Sequence, residues 1–479
     1  TSMDQLFAGS VDGLTNDGSA AESASMGYVG RLKYDYLSKY IIEFSGRYDG
    51  NDNFHPDKRW GFFPAVSAVW MISDENFMQK LNDKNILNSL KLRASYGETG
   101  ISDGVTRFGY MALYNQGAMK EYYNAGNILN VTFSEGNLVN PLALTWYTRK
   151  SFNVGFDFAS LNNRLEGSLD YFYYKTSGYL MSPNNIYATT LGKPLPEITS
   201  GSKHRRAGFE LNLRYKEKRG NWYYEIGGNI SYYNQLWEQL DSEDLATLKN
   251  PYTRQTHEKD YFYSMYLSDG LFQNKEQILN SPRPLPSTET SMGDIKYIDA
   301  NGDGKIDSND MRRVGQPSMP HLNYGFDFRV EYKGWSLSAL FQGTGDRYIA
   351  MGQQMQRGDY ASVITKFQAD YWTPENTDAR FPRVTKAGYP NGENNALVTD
   401  FFNMNAKYFR LKNLQISYNL KRDLLKNCNF IQGCRITLSG TNLFTVSDVL
   451  DFTDPEAKMI EPDKIEKNLR SISGASYPV

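Results

Sequence analysis

Apolar and polar residues alternate with period two in segment after segment of this chain, the mark of strands whose two faces meet different solvents. Phe209, Leu211, Leu213 and Tyr215 fall on one face, with Glu210, Asn212, Arg214 and Lys216 on the other. Leu90, Leu92, Ala94 and Tyr96 alternate in the same way with Lys91, Arg93 and Ser95. So do Phe152, Val154, Phe156 and Phe158 with Asn153 and Asp157, and Tyr324, Phe326, Phe328, Val330 and Tyr332 with Asp327, Arg329 and Glu331. Each segment asks for burial on one side only.

A soluble sandwich also alternates, so the connections decide. Short turns are predicted at 37–39, 162–164, 218–221 and 333–334, and long Gly-, Asn-, Pro- and Ser-rich stretches at 98–145, 176–203, 236–322 and 344–405. Compact soluble domains seldom carry several loops beyond ~15 residues. Outer-membrane barrels do, with short periplasmic turns and long extracellular loops. The expected fold class is therefore all-β, an antiparallel transmembrane β-barrel with about twelve spanning strands. The first, 28–36, runs inward and the last, 435–444, outward. Segment 260–272 has strand character, but parity places it inside an extracellular loop, as one strand or a pair. Segment 73–89, with Asp74 and Glu75 ahead of Phe77, Leu81 and Ile86, reads as a loop holding a helical turn. An even-stranded barrel needs one more inward strand after 435–444, so the chain is expected to be a barrel portion that continues at both ends.

Composition agrees. Among 479 residues, 52 basic and 54 acidic side chains give no electrostatic footprint for nucleic acid. The excess of 35 Tyr and 26 Phe over 18 Pro favours strands. Mean hydropathy is −0.59 and no window approaches the ~18 apolar residues of a membrane helix. A barrel strand shows lipid only every second residue, so it escapes that test. No basic, apolar or cleavage-site segment opens the sequence at Thr1. Cys428 and Cys434 admit a small-loop disulfide in an oxidising compartment or two free thiols.

One motif carries chemistry. Residues 299–310 place Asp299, Asn301, Asp303, Asp307 and Asp310 at positions 1, 3, 5, 9 and 12 of a calcium-type loop, with Gly304 at position 6 for the sharp turn. Lys305 at position 7 would offer its backbone carbonyl, and Ile306 would pin the loop to a core. Asp310 stands where Glu is usual, which shortens bidentate reach. No helices flank the loop, so a structural Ca²⁺ in the long extracellular region 237–321 is expected, and not a regulatory switch. An enzyme is not expected: His55, His204, His257 and His321 lack metal spacing, and no nucleophile elbow or phosphate loop occurs. Asp170 and Asp327 could approach as a carboxylate pair, but the alternation already assigns both to the wet face. Loop aromatics Tyr110, Tyr114, Tyr122, Tyr123, Trp146 and Tyr187 could stack on a solute. Aromatics in barrel loops more often pack the loop on itself, so no substrate residue is assigned.

Four stretches resemble the SusC/RagA-type TonB-linked (TonB-dependent) outer-membrane transporters of Bacteroidetes. They are 28–34 with 61–64; 90–97; 293–297 leading into the calcium-type loop; and 371–376 with 408–413. The resemblance implies a 22-stranded barrel, of which this chain would supply about strands ten to twenty-one. It also implies an N-terminal plug, coupling to the TonB complex through a part not present here, and a SusD-like surface lipoprotein as lid. Oligosaccharides or peptides would be the imported solutes, outer-membrane lipid the surroundings, and nucleic acid no partner. A secreted calcium-stabilised carbohydrate-binding β-sandwich is the competing expectation.

Overall fold

The computed structural model describes residues 22–105, 109–111, 114–124, 127–135, 144–181, 199–258, 263–284, 289–314, 319–351, 369–385, 393–420, 430 and 432–457. Its strands, in chain order, are β1 (Ser25–Tyr36), β2 (Tyr40–Asn51), β3 (Trp60–Met71), β4 (Leu87–Ile101), β5 (Tyr114–Asn124), β6 (Asn127–Glu135) and β7 (Tyr147–Ser160). There follow β8 (Leu165–Met181), β9 (Thr199–Arg219), β10 (Trp222–Gln239), β11 (Tyr263–Met265), β12 (Ser268–Leu271), β13 (Ile295–Tyr297) and β14 (Arg312–Val314). The last are β15 (Leu322–Tyr332), β16 (Trp335–Thr344), β17 (Tyr348–Ala350), β18 (Asn403–Asn405), β19 (Tyr408–Asn419) and β20 (Arg435–Val446).

Twelve of these form one sheet in the order β1-β2-β3-β4-β7-β8-β9-β10-β15-β16-β19-β20, every pair antiparallel. That is the expected strand number, with first and last strands where the alternation put them. Register then sorts the faces. One row of cross-strand partners reads Leu90, Phe158, Gly167, Leu213, Gly228, Phe326, Phe341, Leu411, Phe444. A row on the opposite face reads Arg93, Gly155, Asp170, Glu210, Ser231, Asn323, Thr344, Tyr408. Directly opposed residues share a face, so the wall has one apolar and one polar side from β4 to β20.

The short turns are tight. Lys333 and Gly334 join β15 to β16 with φ of 43° and 88°, the doubly positive pair that matches strand twist in a two-residue hairpin. The long connections are shorter than the alternation suggested, because β4, β8, β9 and β10 run on to Ile101, Met181, Thr199 and Gln239. Beyond the bilayer the outer face no longer requires apolar residues, so ladder pairing continues while alternation fades. The 237–321 region accordingly begins only after β10. Segment 260–272 carries two short strands, β11 and β12, outside the wall. Segment 73–89 holds the single-turn helix α1 (Gln79–Asp83) behind two 3-10 turns. Met78 is its inward residue at 7% exposed, while Phe77 is 66% exposed.

The sandwich expectation is corrected here. A sandwich needs two facing sheets, and each of the other four sheets among the described residues has only two strands. The principal buried cluster lies instead among the long connections, where Tyr266, Ile295, Tyr297, Ile306, Trp372, Phe381, Phe402, Val449 and Phe452 pack together. Two connections and the segment that follows β20 thus share one core, hereafter the loop body.

Candidate functional site: the polar wall and the loop body

On the polar face, charged residues are neutralised within the wall. Arg93 on β4 donates from Nε and Nη2 to both oxygens of Asp157 on β7, at 2.9 and 2.7 Å, and from Nη2 to Asp170 on β8 at 3.0 Å. Lys91 Nζ adds a contact to Asp157 at 2.5 Å. The pattern recurs at Arg214 on β9, which pairs with Glu225 on β10 and reaches Asp327 on β15 at 3.3 Å. Each guanidinium crosses a glycine to get there. A Cβ on Gly155 would stand 2.3 Å from Asp170 Oδ1, and one on Gly227 would stand 2.6 Å from Asp327 Oδ1. Asp170 and Asp327 do lie on the wet face as expected. They are not brought together as a pair: β9 and β10 separate them, and each is held by its own arginine.

The calcium-type loop closes through its own carboxylates. Asp299 Oδ1 accepts from Gly302 N at 2.6 Å and Oδ2 from Gly304 N at 2.8 Å, which holds its carboxyl below the usual range. Asp307 is lowered by the backbone N–H of Asn309 and then by Lys305. Asp310 is fully buried and accepts from the backbone N–H groups of Ala300, Asn301 and Asp307. Gly304 takes φ +82°, a left-handed conformation that glycine adopts without steric cost. Ile306 joins the loop-body core, and its N–H donates to Arg283 O at 2.8 Å, so it pins the loop as the spacing predicted. Lys305 Nζ stands 3.1 Å from Asp307 and 3.7 Å from Asp303. Among the described residues no three acidic, His or Cys side chains converge on a common cation position.

The opposite face of the wall is apolar over a defined height. On β9 the outward residues between Arg205 and Glu217 are Ala207, Phe209, Leu211, Leu213 and Tyr215. At about 3.3 Å per residue and a tilt near 40°, that run spans roughly 30 Å, the thickness of a bilayer core. Aromatic girdles mark both ends. Trp222 stacks on Tyr332 at 4.2 Å and Trp335 packs on Tyr418 at 4.7 Å near the tight turns, while Tyr48 stacks on Trp60 at 4.9 Å near the long connections. The profile of the TonB dependent receptor-like β-barrel family matches residues 4–443. The chain belongs to that family. It is accordingly an outer-membrane β-barrel protein.

Relatives of this barrel include TonB-dependent receptor P26 of Formosa agariphila, 29% identical over 97% of this chain and 46% of the relative. TonB-dependent receptor SusC of Bacteroides thetaiotaomicron is 26% identical over 92% of this chain and 42% of its own length. Among solved structures, the RagAB peptide importer in its open-open state superposes with TM-score 0.68 at 21% identity, over 93% of this chain and 46% of that one. The chain spans about half the length of the curated relatives it matches.

Above the wall of this barrel, the loop body is locked by a buried polar knot. Asp294, fully buried, lies 2.6 Å from Arg383 Nε and accepts from Asn395 Nδ2 at 2.9 Å and Ser291 N at 2.7 Å. Burial nonetheless raises its carboxyl above the ordinary range, Arg383 opposing. The loop aromatics sort themselves. Trp146 is packing, with Phe54 at 5.1 Å, Phe63 at 5.5 Å and Nε1 donating to Arg59 O at 2.9 Å. Tyr110 meets His55 at 5.6 Å, Tyr114, Tyr122 and Tyr123 lie on the β5–β6 hairpin, and Tyr187 and Cys428 lie outside the described residues.

Sequence reasoning missed a ring cluster drawn from four wall strands. Tyr147 stacks on Tyr179 at 5.0 Å, Tyr179 meets Trp237 at 5.4 Å, and Trp237 meets His204 at 4.8 Å. Register shifts at Tyr179 and between Trp237 and Gln239 re-aim these side chains, and strict alternation cannot foresee a bulge.

Proposed function

We propose that the chain is the greater part of the wall of a TonB-dependent nutrient importer. It would take up oligosaccharides or peptides together with a SusD-like surface lipoprotein, with energy delivered by the TonB complex through the rest of the protein. The observation that carries this is the two-faced wall: a lipid-facing band and a charge-compensated wet face. A solute sliding along side chains already paired with one another meets weak, distributed contacts, which suits passage better than one tight site. In a strain lacking the gene for the full-length protein, growth on one oligosaccharide or on peptides as carbon source should fail, and the full-length gene should restore it. Undiminished growth on every such source would end the import reading.

The calcium expectation stands beside it as part of the same reading. Asp299, Asn301, Asp303, Asp307, Asp310 and the Lys305 carbonyl supply hard oxygen donors on a loop already turned at Gly304, and the ion would rigidify the loop body. Binding would require the Lys305 ammonium to leave Asp303 and Asp307 and the carboxylates to turn inward. Millimolar Ca²⁺ should protect residues 263–314 of the full-length protein from proteinase K, Mg²⁺ should not, and Asp299→Ala should abolish the effect. Equal cleavage with Ca²⁺ and with chelator would remove calcium from the account.

A further inference from the structure

The wall is not uniformly zipped. β3 is paired with β2 along its length, from Trp60 opposite Gly50 to Trp70 opposite Tyr40. β4 is paired with β7 from Leu87 to Ile101. Toward each other, β3 and β4 pair only from Met71–Lys91 to Ala65–Gly97. Outward of that rung, residues 60–64 and 98–101 face each other without a ladder. Pro64 is the first residue past the last rung. The β2 ladder runs through it opposite Gly46, so the donor that proline lacks belongs to the β4 side.

A side chain fills the gap. Phe63, 7% exposed, lies so close to the opposite strand that a Cβ on Gly100 would stand 1.9 Å from its ring, and its ring also fills the space beside Gly61 on its own strand, where a Cβ would stand 2.5 Å away. Trp146 closes against it at 5.5 Å, and Asn51 Nδ2 to Ser102 Oγ at 3.3 Å bridges β2 to the end of β4 above it. Hollows lie on both sides of the gap. One of about 440 Å³ is lined from the polar face by Arg47, Asp49, Phe63 and Thr99, and one of about 600 Å³ from the apolar face by Phe62, Pro64, Val66 and Tyr96.

We propose that this seam is a lateral gate in the barrel wall, held shut by the Phe63 wedge and able to part between β3 and β4 outward of Pro64. Elsewhere, parting two wall strands breaks a ladder and bares backbone groups to hydrocarbon, which membrane strands do not tolerate. Here no rung has to break. The Trp60 and Tyr48 girdle places the seam at the extracellular interface, where water can reach the freed backbone. Opening costs the wedge contacts and the rim hydrogen bonds of Asn51 to Ser102, Asn53 to Val105 O, Thr145 to Lys58 O and Trp146 to Arg59 O, but no ladder, so the seam is the low-stability end of an otherwise continuous wall.

The test uses the full-length protein in lipid vesicles. Amide hydrogen exchange in 60–63 and 98–101 should run at least ~10-fold faster than in the zipped stretches 65–71 and 91–97. Phe63→Ala should widen that ratio, and Phe63→Leu should leave it near the parent value. Brominated lipid should quench Trp146 fluorescence more strongly in Phe63→Ala than in the parent, with Trp146→Phe identifying the signal. Equal protection on both sides of Pro64 in the parent protein would overturn the gate, whether or not the Phe63 variants assemble. An exchange difference that Phe63→Ala leaves unchanged, with no added quenching, would overturn the wedge.

Discussion

Asp294→Ala should unlock the loop body while leaving the wall intact. The substitution takes the carboxylate from Arg383, whose side chain is 19% exposed, and leaves the Ser291 N–H and the Asn395 amide without their acceptor inside a packed core. Breaking one member of a buried pair costs about 3–5 kcal/mol, most of it the penalty of the charge left behind. Limited proteolysis of the full-length protein should then cut within 263–314 and 369–406, with the wall strands still resistant. Unchanged cleavage would mean that the apolar cluster alone holds the three segments together.

The same carboxyl gives a pH signature. Its folded value lies above the ordinary 3.8, so its contribution to stability is full below 3.8 and is lost as pH rises through the folded value. Asp299 and Asp307 act oppositely: their lowered values make a contribution that is present above 3.8 and lost as pH falls through the folded value. The loop body of the parent protein should therefore gain protease resistance as pH drops from neutral toward 3.8. Asp294→Asn should lose that slope.

The second large effect tests which face meets lipid. Leu211 lies midway along the apolar run of β9, and its neighbour Asn212 points to the opposite side, beside Ser168 and Asn229. An arginine at the bilayer midplane costs a barrel about 2–4 kcal/mol, while lumen positions tolerate charge. Leu211→Arg should lower the urea midpoint of the full-length protein in vesicles accordingly, and Asn212→Arg should hardly move it. Comparable losses at both positions would refute the assignment of faces.

Much of this was legible in the chain because a strand repeats every two residues. Phe209 to Lys216 names its own faces once one side must be apolar, and loop parity then counts the strands without any contact being known. The bulge at Tyr179 was not legible, because one extra residue inverts the parity of all that follow it and leaves no mark in composition. Nor was the loop body. Ile295, Trp372, Phe402 and Val449 lie far apart in sequence, in segments with no period, and only their meeting makes them a core.

By itself, then, the sequence determined the all-β class, the strands, their two faces and the calcium-type spacing at 299–310, all of them local and periodic. Tertiary structure alone decided that Arg93 and Arg214 each reach an aspartate two strands away across a glycine. It also decided that Asp294 is buried against Arg383, and that the β3–β4 ladder stops at Pro64. These depend on register and on which distant segments touch, quantities fixed by pairing and packing between strands and not by the order of residues within one.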